Sequence, residues 1–364
     1  MEIINPTKEA SILSDDLTIT DLTTSIERIP LKRPFVTHLH TVKAIQAVQA
    51  TVVLQNGVTG VGAATPNEVV TGDTLVTLRS IIEEVIKPQV VGKSLSTPEP
   101  LLTAIQNSIQ NNQPAKAAVD IAIHNALAEL YHCPLTSLLG GAKATMATDY
   151  TISIGAPDRM AAEAQRLVQA GFHSLKVKIG NGTVDQDVAT LTKISQAVGS
   201  QISLRVDVNQ GWTYQQARYG LRLLAVAPLN LDFVEQPLPA NQLDNLAHLR
   251  RSSPLPIMVD ESVFTPDDAL AVIKAGAADL VNIKLMKSGG LYPANQINQL
   301  CQAAGIPCMV GCMIEAPESL AAAVAFANAH QNVRFIDLDS VYMAKQFPTD
   351  GQLAHEGARL WLKA

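Results

Sequence analysis

The sequence predicts an α/β protein in which a parallel barrel follows a smaller α+β domain. Two observations lead there. Eight short apolar runs, each closed by a polar residue and followed by a longer helical stretch, cover residues 149–154, 174–179, 202–208, 231–235, 256–260, 280–285, 307–311 and 334–338. Eight strands alternating with helices favour a parallel barrel over an open sheet. Five consecutive runs also carry a charged residue at or within one position of their ends, Lys178, Asp207, Glu235, Asp260 and Lys284, at gaps of 29, 28, 25 and 24 residues. That spacing is one strand–helix unit repeated, and the carboxyl ends of barrel strands are where chemistry collects. One Asp at such a place could simply cap the next helix; five charges in series are not explained that way.

The first domain reads differently. Strands are expected at residues 18–30, 41–55 and 60–62, with a hairpin turn at Asn56-Gly57. Helical patterns follow at residues 73–86, 98–109 and 115–131. The expected organisation is an arm over 1–16, a capping domain over 17–130, the barrel over 131–340, and a segment 341–364, with Trp361, that packs back on the first domain.

Composition sets no obstacle. The chain has 364 residues, 47% of them apolar, and a barrel of about 250 residues leaves roughly a further hundred for the cap. A net charge of −6 and a pI near 5.8, without a basic run, argue against a nucleic-acid partner. Residues 1–16 carry acids and no apolar core of a secretory signal, and no stretch approaches a membrane span. Cys133, Cys301, Cys308 and Cys312 are too sparse for a disulfide framework, so reduced thiols in a cytoplasmic protein are expected. The composition leaves a homo-oligomer open.

Lys176 and Lys178 point to the same side of one strand, because side chains alternate. Two ammonium groups inside a barrel are costly unless they reach its mouth and meet negative charge. Each disfavours protonation of the other, an arrangement expected to lower a lysine pKa toward the range of a base. Lys284 stands at the mouth on the opposite side. The acidic oxygens between the lysines are ligands that Mg²⁺ prefers. A substrate carboxylate bound there has its α-carbon between two bases, and removal of the α-proton becomes feasible near neutral pH.

With these residues in place, the chain resembles the enolase superfamily, in its muconate-lactonizing subgroup, over nearly its whole length. The matching stretches are Lys176-Val177-Lys178, Asp207-Val208-Asn209, Glu235-Gln236-Pro237, Asp260-Glu261-Ser262 and Asn282-Ile283-Lys284 with Gly289-Gly290 beyond. Sites of this superfamily pair a Lys or His base with Mg²⁺. The resemblance implies a modified TIM-type (β/α)7β barrel with an N-terminal α+β capping domain. It further implies Lys178 and Lys284 as the acid/base groups, Lys176 as a neutralising cation, and Asp207, Glu235 and Asp260 as ligands of one Mg²⁺. Two capping loops, near residues 34–42 and 64–74, would cover the barrel, with Glu261 and Asn209 close to the site.

The eighth strand narrows the reaction. Asp337-Leu338-Asp339 places two acids on one strand face, and two carboxylates without a metal repel each other unless a cation is shared between them. The family's dipeptide epimerases use such an Asp-x-Asp pair for the substrate's α-ammonium, and Gly311-Cys312-Met313-Ile314-Glu315 is similar to theirs, which places Cys312 and Met313 beside the substrate. The expected activity is a Mg²⁺-dependent 1,1-proton transfer at the α-carbon of the C-terminal residue of an L,L-dipeptide. A muconate-type cycloisomerase and an o-succinylbenzoate synthase are the alternatives, with Asp337 paired to a basic residue and Asp339 capping the next segment. Family members acting on Ala-Glu carry an Arg in the first capping loop where this chain has His40. A neutral imidazole cannot form a bidentate pair with a carboxylate, so a hydrophobic or aromatic second residue is expected, unless Lys32 or Arg33 reaches in and restores Ala-Glu activity.

Overall fold

The computed structural model describes residues 17–36, 41–142, 144–348 and 351–363. Strands β1 (Ile19–Val36), β2 (Thr41–Leu54) and β3 (Thr59–Ala64) form an antiparallel sheet in that order. The β2–β3 turn is the expected one: Gly57 takes φ +86°, and the Asn56 side chain accepts from Val58 N at 3.1 Å. β1 runs past the expected end at Pro30. Pairing with β2 lapses between Pro30 and Phe35, where Pro30 and Pro34 have no N–H to give, and resumes at Phe35↔Val42 and Val36↔Thr41.

The helix expected at 73–86 begins at Leu75 behind a Thr74–Thr77 capping box, passes through a π-turn at Ile81–Ile86, and ends at Val90. Helices Pro98–Asn107 and Gln113–Leu130 follow. The last of these lies directly on β3. A Cβ at Gly60 or Gly62 would sit 2.0 Å from Ala122 O or 2.1 Å from Ala118 O, so only glycine admits this contact.

After the short strand β4 (Met146–Ala147) come eight parallel strands. They are β5 (Tyr150–Ile152), β6 (Ser174–Lys178), β7 (Ser203–Asp207), β8 (Leu231–Glu235), β9 (Ile257–Val259), β10 (Leu280–Ile283), β11 (Cys308–Gly311) and β12 (Val333–Asp337). Each hydrogen-bonds to the next in sequence, and Asp149 N to Ile336 O at 3.4 Å draws the two ends of the sheet together. Seven helices of ten or more residues connect the strands, from Pro157–Gln169 to Pro317–Ala329, whereas β12 is followed by one turn, Ser340–Met343. This is the (β/α)7β barrel with its α+β cap.

Period-two alternation fills the barrel in layers. Phe233, Met258, Leu280 and Met309, with Phe335 against them, form an apolar floor. Arg205 lies over Phe335, 4.9 Å from the ring centre, and pairs with Asp149 at 2.7 Å and Asp232 at 3.0 Å. Two residues further along, Arg205, Phe233, Met258 and Phe335 are followed by Asp207, Glu235, Asp260 and Asp337.

The C-terminal segment divides between the domains rather than packing on the first alone. Lys345 N bonds Pro30 O at 2.7 Å, but β13 (Leu353–Glu356) and β14 (Arg359–Leu362) form a hairpin that pairs with β4. Leu353, Leu360 and Leu362 are buried in it, and that apolar face meets the helix Pro317–Ala329. Among the described residues no helix is long and apolar enough to cross a membrane. The four cysteines are free thiols.

Candidate active site

The parallel register brings the charged strand ends into one layer. Lys178 stands opposite Asp207, and Asp207 opposite Glu235. Lys178 Nζ donates to Asp207 Oδ2 at 2.5 Å. Lys176 Nζ lies 3.1 Å from Asp207, 2.8 Å from Glu235 and 2.8 Å from Asp337. Four strands on, Lys284 Nζ donates to Asp260 Oδ2 at 2.8 Å. In an eight-stranded barrel, four strands is half the circumference, so Lys178 and Lys284 enter from opposite sides with the carboxylates between. Lys176, Asp207 and Glu235 are at most 1% exposed.

The turns after these strands hold their side chains in place. Asn209, Gln210 and Gln236 adopt φ of +45°, +69° and +36°, conformations costing about 1–3 kcal/mol each that persist where surroundings impose them. Asn209 N donates to Asp207 Oδ1 at 2.9 Å. Gln236 Oε1 accepts from Asp260 N at 2.8 Å, and Asn282 Nδ2 donates to Glu235 Oε1 at 2.8 Å.

The electrostatics correct one expectation. Burial acts to lower the Lys176 pKa, but Asp337, Glu235, Asp207 and Asp260 together push it well above the ordinary lysine value. Lys284 moves the same way: burial opposes its charge, and Asp260 more than restores it. The neighbouring ammonium was expected to dominate, yet carboxylates outnumber it. Conversely, burial would raise Asp260, while Lys284, Lys287 and Lys176 hold it far below the usual carboxylate range.

Among the described residues, no three acidic, His or Cys side chains converge closely enough to hold an ion as they stand. Asp207, Glu235 and Asp260 are instead turned toward ammonium groups. Their chemistry nonetheless fits a hard cation, being oxygen donors only. Glu235 Oε2 and Asp260 Oδ1 are buried, and the polar partner of each among the described residues is an ammonium, at 2.8 Å and 2.7 Å.

Asp337 and Asp339 do share one region. Thr151 N donates to Asp339 Oδ2 at 2.6 Å and Thr151 Oγ1 to Asp337 Oδ1 at 3.3 Å. Asp337 is bound to Lys176, so half of the expected structural alternative is present. Asp339 stands at the N-cap of Ser340–Met343 but makes no side-chain capping bond. Burial and the charge of Asp337 push its carboxyl up to about 7.

A cavity of about 580 Å³ joins these groups to the cap, with Lys176, Lys178, Asp260, Lys284, Asp337 and Asp339 among its lining residues. Cys312 and Met313 line it too; Met313 Sδ accepts from Asn67 of the second capping loop at 3.7 Å. His40 lies outside the described residues. Lys32 and Arg33 face elsewhere: Lys32 Nζ donates to Tyr342 O at 2.9 Å and Arg33 pairs with Glu163. Among the described residues, the cations on the cap side of the cavity are Arg28 and Lys43.

Two contributors went unnoticed in the sequence. Thr151 had a signal, a polar residue two positions after Asp149 on a barrel strand. Lys287 is 1% exposed and donates to the carbonyls of Asp260, Val263 at 2.9 Å and Asn282 at 3.2 Å. A lysine three residues after Lys284 in an apolar stretch was its only sign.

The fold and site thus define a capped (β/α)7β barrel whose mouth sets two opposed lysines around a cluster of buried carboxylates. Residues 19–140 match the mandelate racemase / muconate lactonizing enzyme N-terminal domain and residues 159–362 the enolase C-terminal domain-like family. The L-Ala-D/L-Glu epimerase of Bacillus subtilis (strain 168) is 39% identical over 337 residues, 93% of this chain and 92% of the relative. The hydrophobic dipeptide epimerase of Enterococcus faecalis (strain ATCC 700802 / V583) is 35% identical over 335 residues, 92% of this chain and 93% of its own. A dipeptide epimerase structure from E. faecalis V583, complexed with Mg and L-Leu-L-Tyr, superposes with a TM-score of 0.91 at 34% identity, covering 95% of this chain and 97% of that one. The chain therefore belongs to the enolase superfamily, in the muconate-lactonizing subgroup and its dipeptide epimerase family. It is an isomerase of the racemase and epimerase class.

Proposed function

We propose that the chain is a Mg²⁺-dependent dipeptide epimerase acting at the α-carbon of the C-terminal residue of an L,L-dipeptide. The observation that carries this is the placement of Lys178 and Lys284 on opposite sides of one carboxylate cluster. In this reading Asp207, Glu235 and Asp260 hold Mg²⁺, which when bound supplies fixed positive charge for a carboxylate substrate losing its α-proton. One lysine takes the α-proton and the other returns a proton to the opposite face. Lys176 adds a permanent cation beside them. Asp339, with Asp337, receives the dipeptide's ammonium, while Cys312 and Met313 line the substrate's path. A muconate-type cycloisomerase or o-succinylbenzoate synthase would share the lysines but leave Asp339 without a charged partner. Dipeptides incubated with enzyme and Mg²⁺ in D₂O and followed by mass spectrometry test the reading. Epimers carrying one deuterium are expected, and no exchange in any dipeptide would end it.

For the second residue, a hydrophobic or aromatic side chain is supported by His40 in the sequence and by Phe35, Val42 and Leu75 on the cap side of the cavity. Arg28 and Lys43 on the same side favour a second reading, Ala-Glu epimerisation. Comparing kcat/KM for Ala-Phe and Ala-Glu decides: a higher value for Ala-Phe supports the first, and a higher value for Ala-Glu supports the second.

A further inference from the structure

A second cavity, of about 600 Å³, lies on the other side of β5. Thr151 turns inward to Asp337, so by strand alternation Tyr150 and Ile152 face outward, and this is the wall they present. The space exists because β12 is followed by one helical turn instead of an eighth barrel helix. The end of β1 and the helix Pro157–Gln169 enclose it.

Its lining combines two chemistries. Tyr150, Phe172 and Tyr342 form an aromatic wall, with Phe172 edge-on to both tyrosines at 5.4 Å and 5.1 Å between ring centres. The Tyr342 hydroxyl is buried and makes no hydrogen bond among the described residues. Four cations, Lys32, Arg33, Arg159 and Arg166, are set against the single carboxylate of Glu163. Arg33 and Arg166 share Glu163, and Arg159 has no ion-pair partner among the described residues. One acid is left facing an excess of guanidinium groups. The volume is that of a small-molecule site, with apolar walls and a few convergent polar groups. Guanidinium groups suit a carboxylate in both charge and shape, and the flat rings suit an aromatic body.

We infer that this cavity binds a small aromatic carboxylate, at a site separate from the one where the reaction occurs. The carboxylate meets the arginines and the ring lies against Tyr150, Phe172 and Tyr342. Phe35 and Thr151 border both cavities, but none of the residues proposed for proton transfer lines this one, so binding here does not depend on the two-lysine chemistry.

Fluorine NMR titration of the Mg²⁺-loaded full chain with 4-fluorophenylacetate tests this, with 2-(4-fluorophenyl)ethanol as the neutral control. Saturable binding of the acid is expected, with the alcohol roughly tenfold weaker, as loss of one charge-assisted contact predicts. The exposed substitutions Arg33→Met and Arg166→Met together should weaken the acid by a similar factor. Lys178→Met, which removes a cation from the catalytic cavity, should leave it unchanged. The inference is overturned by absence of saturation up to roughly 10 mM, by equal binding of acid and alcohol, by binding indifferent to the arginine pair, or by loss of binding in Lys178→Met.

Discussion

Asp337 holds the Lys176 ammonium at 2.8 Å while its partner Asp339, two residues on, is bonded to Thr151 N and, among the described residues, to no cation. The two carboxylates therefore differ in what they can offer a substrate. Asp339→Asn should raise KM for dipeptides by roughly tenfold, the worth of one charge-assisted contact, with kcat little changed. Asp337→Asn should lower kcat as well, because Lys176 loses an anion. N-acylated dipeptides, which lack the ammonium, should be insensitive to Asp339→Asn. Equal losses for free and acylated substrates would show that Asp339 is only a structural group.

The same carboxyl gives a pH dependence. Asp339 is pushed up to about 7 by burial and by Asp337, against the opposing pull of Thr151 and Lys176, and its charge is also felt by Tyr150, Tyr342 and Cys312. Below that pH it is protonated and neutral; above it, it is an anion that attracts an ammonium. KM for dipeptides should fall as pH rises through 7, then rise again once the substrate's amine loses its proton near roughly 8. A KM–pH profile checks this, and Asp339→Asn should remove the acidic limb.

Chelation should abolish activity and Mg²⁺ should restore it, since Asp207, Glu235 and Asp260 offer oxygen and nothing soft enough to prefer zinc. The fold should survive, because each of these carboxylates already meets a lysine. Circular dichroism before and after chelation, alongside the assay, separates loss of metal from loss of structure.

Lys287→Ala should destabilise the protein by about 1–3 kcal/mol, the usual cost of leaving buried acceptors unsatisfied, since Asp260 keeps Lys284 at 2.8 Å as its counter-charge. It strands Asp260 Oδ1, which otherwise has only this ammonium at 2.7 Å, together with the three carbonyls it serves. Thermal or denaturant unfolding of the variant measures the loss.

Much of this was legible in the sequence because strand, charge and period coincide. Runs such as residues 256–260 are apolar until their last residue, and Lys176-Val177-Lys178 shows two inward lysines by alternation alone. What stayed hidden depends on neighbours distant in the chain. Lys287 is recognisable only once the carbonyls of Asp260 and Val263 are seen around it. β1 continues past Pro30 because Phe35 and Val36 find Val42 and Thr41, which local propensity at two prolines argues against. The upward shift at Lys176 follows from Asp337, 161 residues away, and cannot be read from Lys178 beside it. The C-terminal hairpin pairs with β4, a two-residue strand too short to signal itself.

The two-base arrangement is tested most directly by Lys178→Ala and Lys284→Ala, each incubated in D₂O separately with the L,L- and L,D-forms of a dipeptide that the wild type epimerises. Neither variant should interconvert the forms. Each should still exchange the α-proton of one form only, Lys178→Ala of one and Lys284→Ala of the other, because the remaining lysine serves its own face. Epimerisation by either variant at near the wild-type rate, or exchange of the same form by both, would contradict proton transfer between two opposed lysines.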